Sequence, residues 1–390
     1  MTILFHTHEF NINEGGPCTK RIDSLATYLQ EQGKKVIVLA SSHNKKNEKE
    51  INRKYKVIYS YSTKNTKGSN IKRFLNNIIF GITSFFKSFT VGKIDVVITT
   101  SPPPLISIFG YLIAKIKGAK LIYDIRDIWP DVAVEMDSFS EKSIYYRVFK
   151  NIANFMYRKS DIITTVTSGK VEKLTRYTNE NKVKYIPNGL DDNFTKFNIN
   201  NELIEKYNLK SIFTVVYIGN VGLAQNVEAL VDIAIQYKEN NNIQFLIFGE
   251  GASKDKINKK IQELNLKNIK VEGKIDYCNV YTILKYSKIS FISLKNNKMT
   301  DSVPTKIYDA LACGCPILLL AKGDSCKILD EVGLGEHVES KEELKDKFEY
   351  MYKNYIKYED KKDDIIEYTK GKYSRRKIAE KFEREVLLKC

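Results

Sequence analysis

The sequence predicts an α/β protein made of two open parallel sheets with helices on both faces. Three observations predict it. Short apolar runs alternate with helical patterns along the whole chain. A glycine-bearing turn follows the first strand of each half, at Gly15-Gly16 and at Gly219–Gly222. At 390 residues the chain is too long for one small core, so two domains are expected. Strands that alternate with helices pair in parallel, because each parallel pair needs a crossover connection.

In order along the first half, strands are expected at Thr2–Phe5, Lys35–Leu39, Val57–Ser60, Val96–Thr100, Lys120–Tyr123 and Ile162–Thr165. A helix from Arg21 to Gln32 ends at Gly33, a residue suited to a helix stop. In the second half the expected strands are Phe213–Ile218, Gln244–Phe248, Ile269–Glu272, Ile289–Ser293 and Pro316–Leu320. Helices are expected between them at Asn226–Glu239, Lys254–Leu264 and Val280–Tyr286. The turn-rich Pro187–Asp191 segment reads as the linker. This gives domains at 1–190 and 191–370, with a charged helical tail, 371–390, expected to return to the first domain.

Composition excludes several classes. No apolar run reaches the ~18–20 residues that span a bilayer. The Met-Thr-Ile-Leu-Phe-His start reads as a strand, not as a signal peptide. Six scattered cysteines without a CxxC pair fit a reducing cytosol better than a disulfide framework. The net charge is +16, and residues 1–195 hold most of it, with 30 Lys and Arg against 18 Asp and Glu. Such a surface attracts anions. No nucleic-acid-binding motif accompanies it, so no nucleic-acid partner is expected. His6 and His8 lack the carboxylate or thiol partners of a metal site, and neither a metal nor a cofactor is expected.

The most informative segment is Asp301-Ser-Val-Pro-Thr-Lys-Ile-Tyr-Asp309-Ala-Leu-Ala-Cys-Gly314. Pro304 suits the first position of a helix and Gly314 the residue just past its end, which predicts about three helical turns. The first turn, opened by Pro304 and carrying free N–H groups from Thr305 onward, would bind an anion together with Lys306. Asp309 shares a face with Lys306, and Asp301 lies in the loop ahead. An anion binder flanked by two carboxylates suits a nucleotide sugar: diphosphate on the helix end, hydroxyls on the acids.

This segment resembles the acid-x7-acid signature of the retaining glycosyltransferases of family 4, which have the GT-B fold. There both acids are usually Glu; here both are Asp. The wording Val303–Pro316 looks most like the branch that builds bacterial O-antigens and capsules, including WbuB-like transferases. The resemblance implies two Rossmann-like domains facing a central cleft. It places Asp301 on the donor sugar and Asp309 on the ribose.

Three further clusters extend it. Gly15 and Gly16 lead into Lys20 and Arg21, which could serve phosphates or be surface charges. The family has a Gly-Gly loop here, beneath the donor phosphates. Tyr123-Asp-Ile-Arg-Asp-Ile-Trp-Pro130 ends a strand where open sheets bind ligands. Family relatives often have His-Asp there; Arg126 stands at the His and Asp127 matches the Asp. Both are expected to face the cleft, Asp127 as base or orienter of the acceptor hydroxyl, with a merely structural ion cluster as the alternative. Trp129 and His8 are further acceptor-side candidates. Third, Gly219-Asn220-Val-Gly222-Leu-Ala-Gln225 opens a helix after a strand, and Phe248-Gly249-Glu250-Gly251 resembles the family's turn beside the nucleotide base. Many relatives supply Arg and Lys near the first of these turns; none stands between Gly219 and Lys238 here, which shifts the diphosphate's charge onto Lys306.

Two stretches, Lys72–Phe89 and Lys142–Lys159, combine basic ends with Phe and Ile at helical spacing, the pattern of an interfacial helix or of a helix on a sheet with a basic outer face. Together the readings imply a metal-independent, retaining hexosyltransferase-type enzyme. Its donor would be a UDP-sugar, expected to carry an N-acetylated amino sugar. Its acceptor would be an undecaprenyl-diphosphate-linked glycan at the inner face of the cytoplasmic membrane. The alternatives are a UDP-sugar epimerase of the same fold and a non-enzymatic basic membrane-associated adaptor.

Overall fold

The computed structural model describes residues 1–11, 16–42, 53–63, 70–136, 138, 140–294 and 299–389. The chain divides into two compact units, 1–188 with 375–390, and 189–374. The first unit runs β1 (Thr2–His6), α1 (Pro17–Glu31), β2 (Lys35–Ser41), β3 (Lys56–Ser60), α2 (Asn70–Ser88), β4 (Val96–Ser101), α3 (Pro104–Lys117), β5 (Lys120–Ile125), α4 (Asp131–Glu135), α5 (Ile144–Lys159), β6 (Ile162–Thr165), α6 (Ser168–Thr175) and β7 (Val183–Tyr185). The second runs α7 (Asn201–Lys206), β8 (Phe213–Ile218), α8 (Glu228–Gln236), β9 (Ile243–Phe248), α9 (Lys254–Glu263), β10 (Ile269–Glu272), α10 (Tyr277–Tyr286), β11 (Ile289–Ser293), α11 (Lys306–Ala312), β12 (Ile317–Leu320), α12 (Asp324–Val332), β13 (Gly335–Val338), α13 (Leu344–Lys353), α14 (Ile356–Glu359) and α15 (Lys362–Tyr373). The last helix, α16 (Arg375–Glu385), belongs to the first unit.

Each unit carries one all-parallel sheet. The first has the order β3-β2-β1-β4-β5-β6-β7 and the second β10-β9-β8-β11-β12-β13. Burial on both faces explains why the strands read as continuous apolar runs rather than as alternations. In β1, Ile3 and Phe5 face one layer, with Leu25 and Ala26 of α1 and Phe382 of α16. Leu4, between them, faces the other layer, with Val97, Tyr123 and Met156. In the second unit a single continuous core spans both faces of the sheet.

α1 begins earlier than expected, at Pro17 rather than Arg21, because the proline occupies the first helical position after Gly16. The motif helix departs further from expectation. It covers seven residues, Lys306–Ala312, about two turns instead of three. Pro304 precedes the helix. Its carbonyl accepts from Ile307 N–H at 3.1 Å, and that of Thr305 accepts from Tyr308 N–H at 3.0 Å, so the helix opens through tight i→i+3 turns. Gly314 ends it with a φ of +63°, the left-handed residue the sequence predicts.

Candidate functional site

In the second unit, β8 lies between β9 and β11. The chain therefore winds to one side after β8 and to the other from β11 onward. Open parallel sheets bind ligands at the carboxyl ends of their strands, at such a reversal. The loops leaving β8, β9 and β11 carry the second-half residues that the sequence singles out, and those of β8 and β11 touch. The Ser293 hydroxyl, at the end of β11, donates to the Gln225 carbonyl in the loop after β8.

Two glycine turns shape this end of the sheet. Gly219 N–H donates to Phe248 O, and Val221 N–H donates to Glu250 O, both at 2.9 Å. A Cβ on Gly249 would stand 1.8 Å from the Gly219 carbonyl oxygen, and one on Gly251 would stand 2.4 Å from the Val221 backbone. Only glycine permits this backbone-on-backbone packing. Gly222 has an extended φ of −96°, and its surroundings are the Asn220 and Gln225 side chains, whose amides meet at 3.4 Å. Glu250 points to solvent and pairs with Lys254 at 2.6 Å.

Lys306 reaches this turn from the start of α11. Its Nζ lies 4.1 Å from the centroid of the Tyr217 ring, a cation–π contact. A Cβ on Gly219 would stand 2.8 Å from the same Nζ. Burial pushes the Lys306 pKa down to about 8, and the Asp309 carboxylate partly offsets this. Asp309 accepts from the Tyr277 hydroxyl at 3.1 Å. Asp301 is buried in the turn that opens the segment. That turn is pinned by α12: Asp324 N–H donates to Thr300 O at 2.8 Å, and the Ser325 hydroxyl donates to Ser302 O at 2.6 Å. Gly219, Lys306 and Asp309 thus form one group, with a half-buried cation at the mouth of a backbone-lined turn.

Sequence reasoning missed two side chains that hold this group. Tyr217 supplies the ring beneath Lys306, and its hydroxyl donates to Asn220 O at 2.6 Å. Tyr277 orients Asp309. Both tyrosines read in sequence as ordinary strand or helix residues. The clue to Tyr217 is a polar ring one residue short of a strand's glycine turn.

In the first unit the corresponding reversal lies between β1 and β4. Gly15 lies outside the described residues. Gly16 has ordinary extended geometry, with open space where a Cβ would be. Lys20 sits half-buried on α1. Arg21 does not serve as a phosphate or acceptor contact. It is 2% exposed and its guanidinium is used up inside the unit. Nε and Nη2 donate to the two Asp124 oxygens at 3.0 and 2.8 Å, and Nη1 donates to the carbonyls of Ile186 and Pro187 at 2.8 and 2.9 Å. Burial alone would push the Asp124 carboxyl up. The paired Arg21 and the Thr164 hydroxyl outweigh that and hold it below its usual range. The acidic partner of the expected ion cluster is therefore satisfied by Arg21, not by Arg126.

Arg126 donates from Nη2 to Pro102 O at 3.0 Å, which ties the loop after β5 to the loop after β4. Its Nε is buried without a partner among the described residues. Asp127 is half-buried beside it, and Trp129 packs against Phe149 with ring centroids 6.5 Å apart. His8 meets Asn76 Nδ2 at 3.2 Å and stands edge-on to Phe80. His6 is fully buried between Ser84 and Thr99, and burial lowers its pKa to about 3, so it is neutral. Among the described residues no group of three His, Cys, Asp or Glu side chains gathers to hold a metal.

Two Rossmann-like units, each built on one all-parallel sheet and the second with a lysine-bearing acid-x7-acid segment at its strand reversal, make up the GT-B fold. Residues 19–194 match the family described as Glycosyltransferase Family 4, and residues 200–372 match the family described as Glycosyl transferases group 1. It is similar to the probable glycosyltransferase WbjE of Pseudomonas aeruginosa, with 24% identity over 249 residues, 62% of this chain and 61% of that protein. Among solved structures it resembles HepE of Anabaena, crystallised with UDP (TM-score 0.75, 13% identity, 100% of both chains). It also resembles the sucrose-phosphate synthase of Thermosynechococcus elongatus (TM-score 0.78, 15% identity, 100% of both chains). At these identities the structural likeness establishes the fold.

Proposed function

We propose that the protein is a retaining, metal-independent glycosyltransferase that moves a sugar, expected to be an N-acetylated amino sugar, from a UDP-sugar to a lipid-linked oligosaccharide in bacterial surface-polysaccharide synthesis. The observation that carries this reading is the half-buried Lys306 held against the Gly219 turn. As the bond from the anomeric carbon to the diphosphate breaks, negative charge grows on the leaving oxygens. A cation already positioned there, in a water-poor site, stabilises that charge. A two-turn helix contributes less end charge than a long one, so most of the burden falls on Lys306. Asp309 would hold the ribose and Asp301 the donor sugar. Asp127 would orient or deprotonate the acceptor hydroxyl, with Arg126 beside it. The HepE structures with UDP and with UDP-glucose support the choice of donor.

The lipid-linked acceptor places the enzyme on the inner face of the cytoplasmic membrane. In support, α2, α3 and α5 contain nine Lys and Arg and no Asp or Glu. α3 packs against both of the others. Together they leave Leu75, Ile82, Phe86, Ile116, Ile144 and Val148 exposed, with Phe89 exposed just past α2. Apolar side chains rimmed by cations suit an anionic lipid surface. Among the described residues no helix is long and apolar enough to cross a membrane.

The test is a transfer assay with UDP-sugars and a lipid-linked acceptor, following glycolipid product and the anomeric configuration by NMR. Product that depends on acceptor and is lost in Asp309→Ala supports the reading. An altered free sugar released without acceptor would instead indicate an epimerase. Phe86→Glu with Phe89→Glu should abolish co-sedimentation with anionic vesicles while leaving UDP affinity unchanged.

A further inference from the structure

The far end of α11 opens onto a second cavity, of about 630 Å³, formed entirely within the second unit. Five lysines line it, Lys210, Lys285, Lys288, Lys362 and Lys370, against three carboxylates, Glu359, Asp363 and Glu367. Two of the lysines are neutralised: Lys362 pairs with Glu359, and Lys370 pairs with Glu367 at 3.3 Å. The other three make no salt bridge among the described residues, though Lys288 lies near enough to Glu359 to help lower its pKa. Each is instead held over a tyrosine ring of the same wall: Lys210 over Tyr286 at 5.7 Å, Lys285 over Tyr281 at 5.4 Å and Lys288 over Tyr355 at 5.0 Å. Ser287, also in the lining, keeps a buried hydroxyl oxygen without a hydrogen-bond partner. Buried polar atoms are normally satisfied, so this one is a group that a ligand oxygen would relieve.

Three lysines outside any salt bridge line one concavity, and the excess of two positive charges in that lining matches a compact dianion or trianion. The tyrosines fix the ammonium groups in place, which reduces the ordering cost of binding. We propose that this cavity is a second anion site, separate from the Lys306 turn, and that it takes a small phosphate-bearing molecule. Its wall includes Ala312, the last residue of the helix whose first residue is Lys306, with Cys313 and Gly314 just past it. An occupant would therefore press on the same short helix that presents Lys306 and Asp309.

The experiment is calorimetric titration of the full chain with inorganic diphosphate. Lys306→Ala removes the first site and leaves this one to be read alone. In that background diphosphate should still bind, and Lys285→Gln with Lys288→Gln should weaken it at least about tenfold, as expected when charge-assisted hydrogen bonds are lost. The control pair Lys267→Gln with Lys270→Gln removes the same charge from elsewhere on the unit and should leave binding within about twofold. Absence of diphosphate binding in Lys306→Ala overturns the proposal, as does an equal loss in the control pair. The outcome does not depend on the sugar-transfer reading, which fails separately if the unaltered chain does not bind UDP.

Discussion

Lys306 is a residue whose surroundings set a pH limit. Its pKa lies at about 8 in the ligand-free protein because burial disfavours the charged form. An anionic donor binds the charged form, so affinity should hold below pH 8 and fall as the pH rises through that value, by about tenfold per unit well above it. UDP titrations between pH 7 and pH 9.5 measure this. Lys306→Arg, charged throughout the range, should flatten the profile. Arg21 shows the opposite use of a cation. Arg21→Met would leave Asp124 buried and unpaired, at a cost of about 3–5 kcal/mol read by denaturant unfolding. Because the Asp124 carboxyl is held below its ordinary value when folded, the stability it contributes is present above the unfolded carboxyl range near pH 4 and is lost as the pH falls through the lower folded value. The sequence could not distinguish these two cations. Lys306 sits in a recognisable spacing with Asp301 and Asp309, whereas the partner of Arg21 lies 103 residues away and becomes visible only when α1 meets β5.

At the scale of elements, the paired turns after β8 and β9 act as one unit. Gly249→Ala would drive a methyl into the Gly219 carbonyl. It should cost about 1–3 kcal/mol of stability, as overpacking does, and should also weaken UDP binding by displacing the turn against which Lys306 rests. A thermal melt with and without UDP separates the two effects. The glycines were legible in the sequence as a pair of turns, but their mutual contact was not, since it is made by the backbone alone. The seven-residue length of α11 was likewise hidden. Proline and glycine mark the outer limits of the segment, yet the tight turns at Pro304 and Thr305 take up the first of them.

For the molecule as a whole, the alternation of strands and helices was readable because both sheets are parallel and buried on both faces. The expected strands that β1 and β8 begin all form. The missed ones are the edge strands β7 and β13, of three and four residues, the second containing Gly335, Glu336 and His337. Such edge segments bury too little to show a run. The path of the C-terminus has a practical consequence. Between units the chain passes twice, once near Asn188–Gly189 and once near Ser374–Arg375, and beside these passages Leu190 N–H donates to Tyr373 O. α16 then buries Ile378, Ala379 and Phe382 among Ile22, Leu25 and Ala26 of α1. Fragments 1–188 and 189–390, produced from separate genes, should therefore reassemble and co-purify, because the second fragment brings along the helix that completes the first one's interior. Ending the second fragment at Ser374 should remove this means of joining and lower the co-purified yield, so α16 acts as a detachable plug for the first unit.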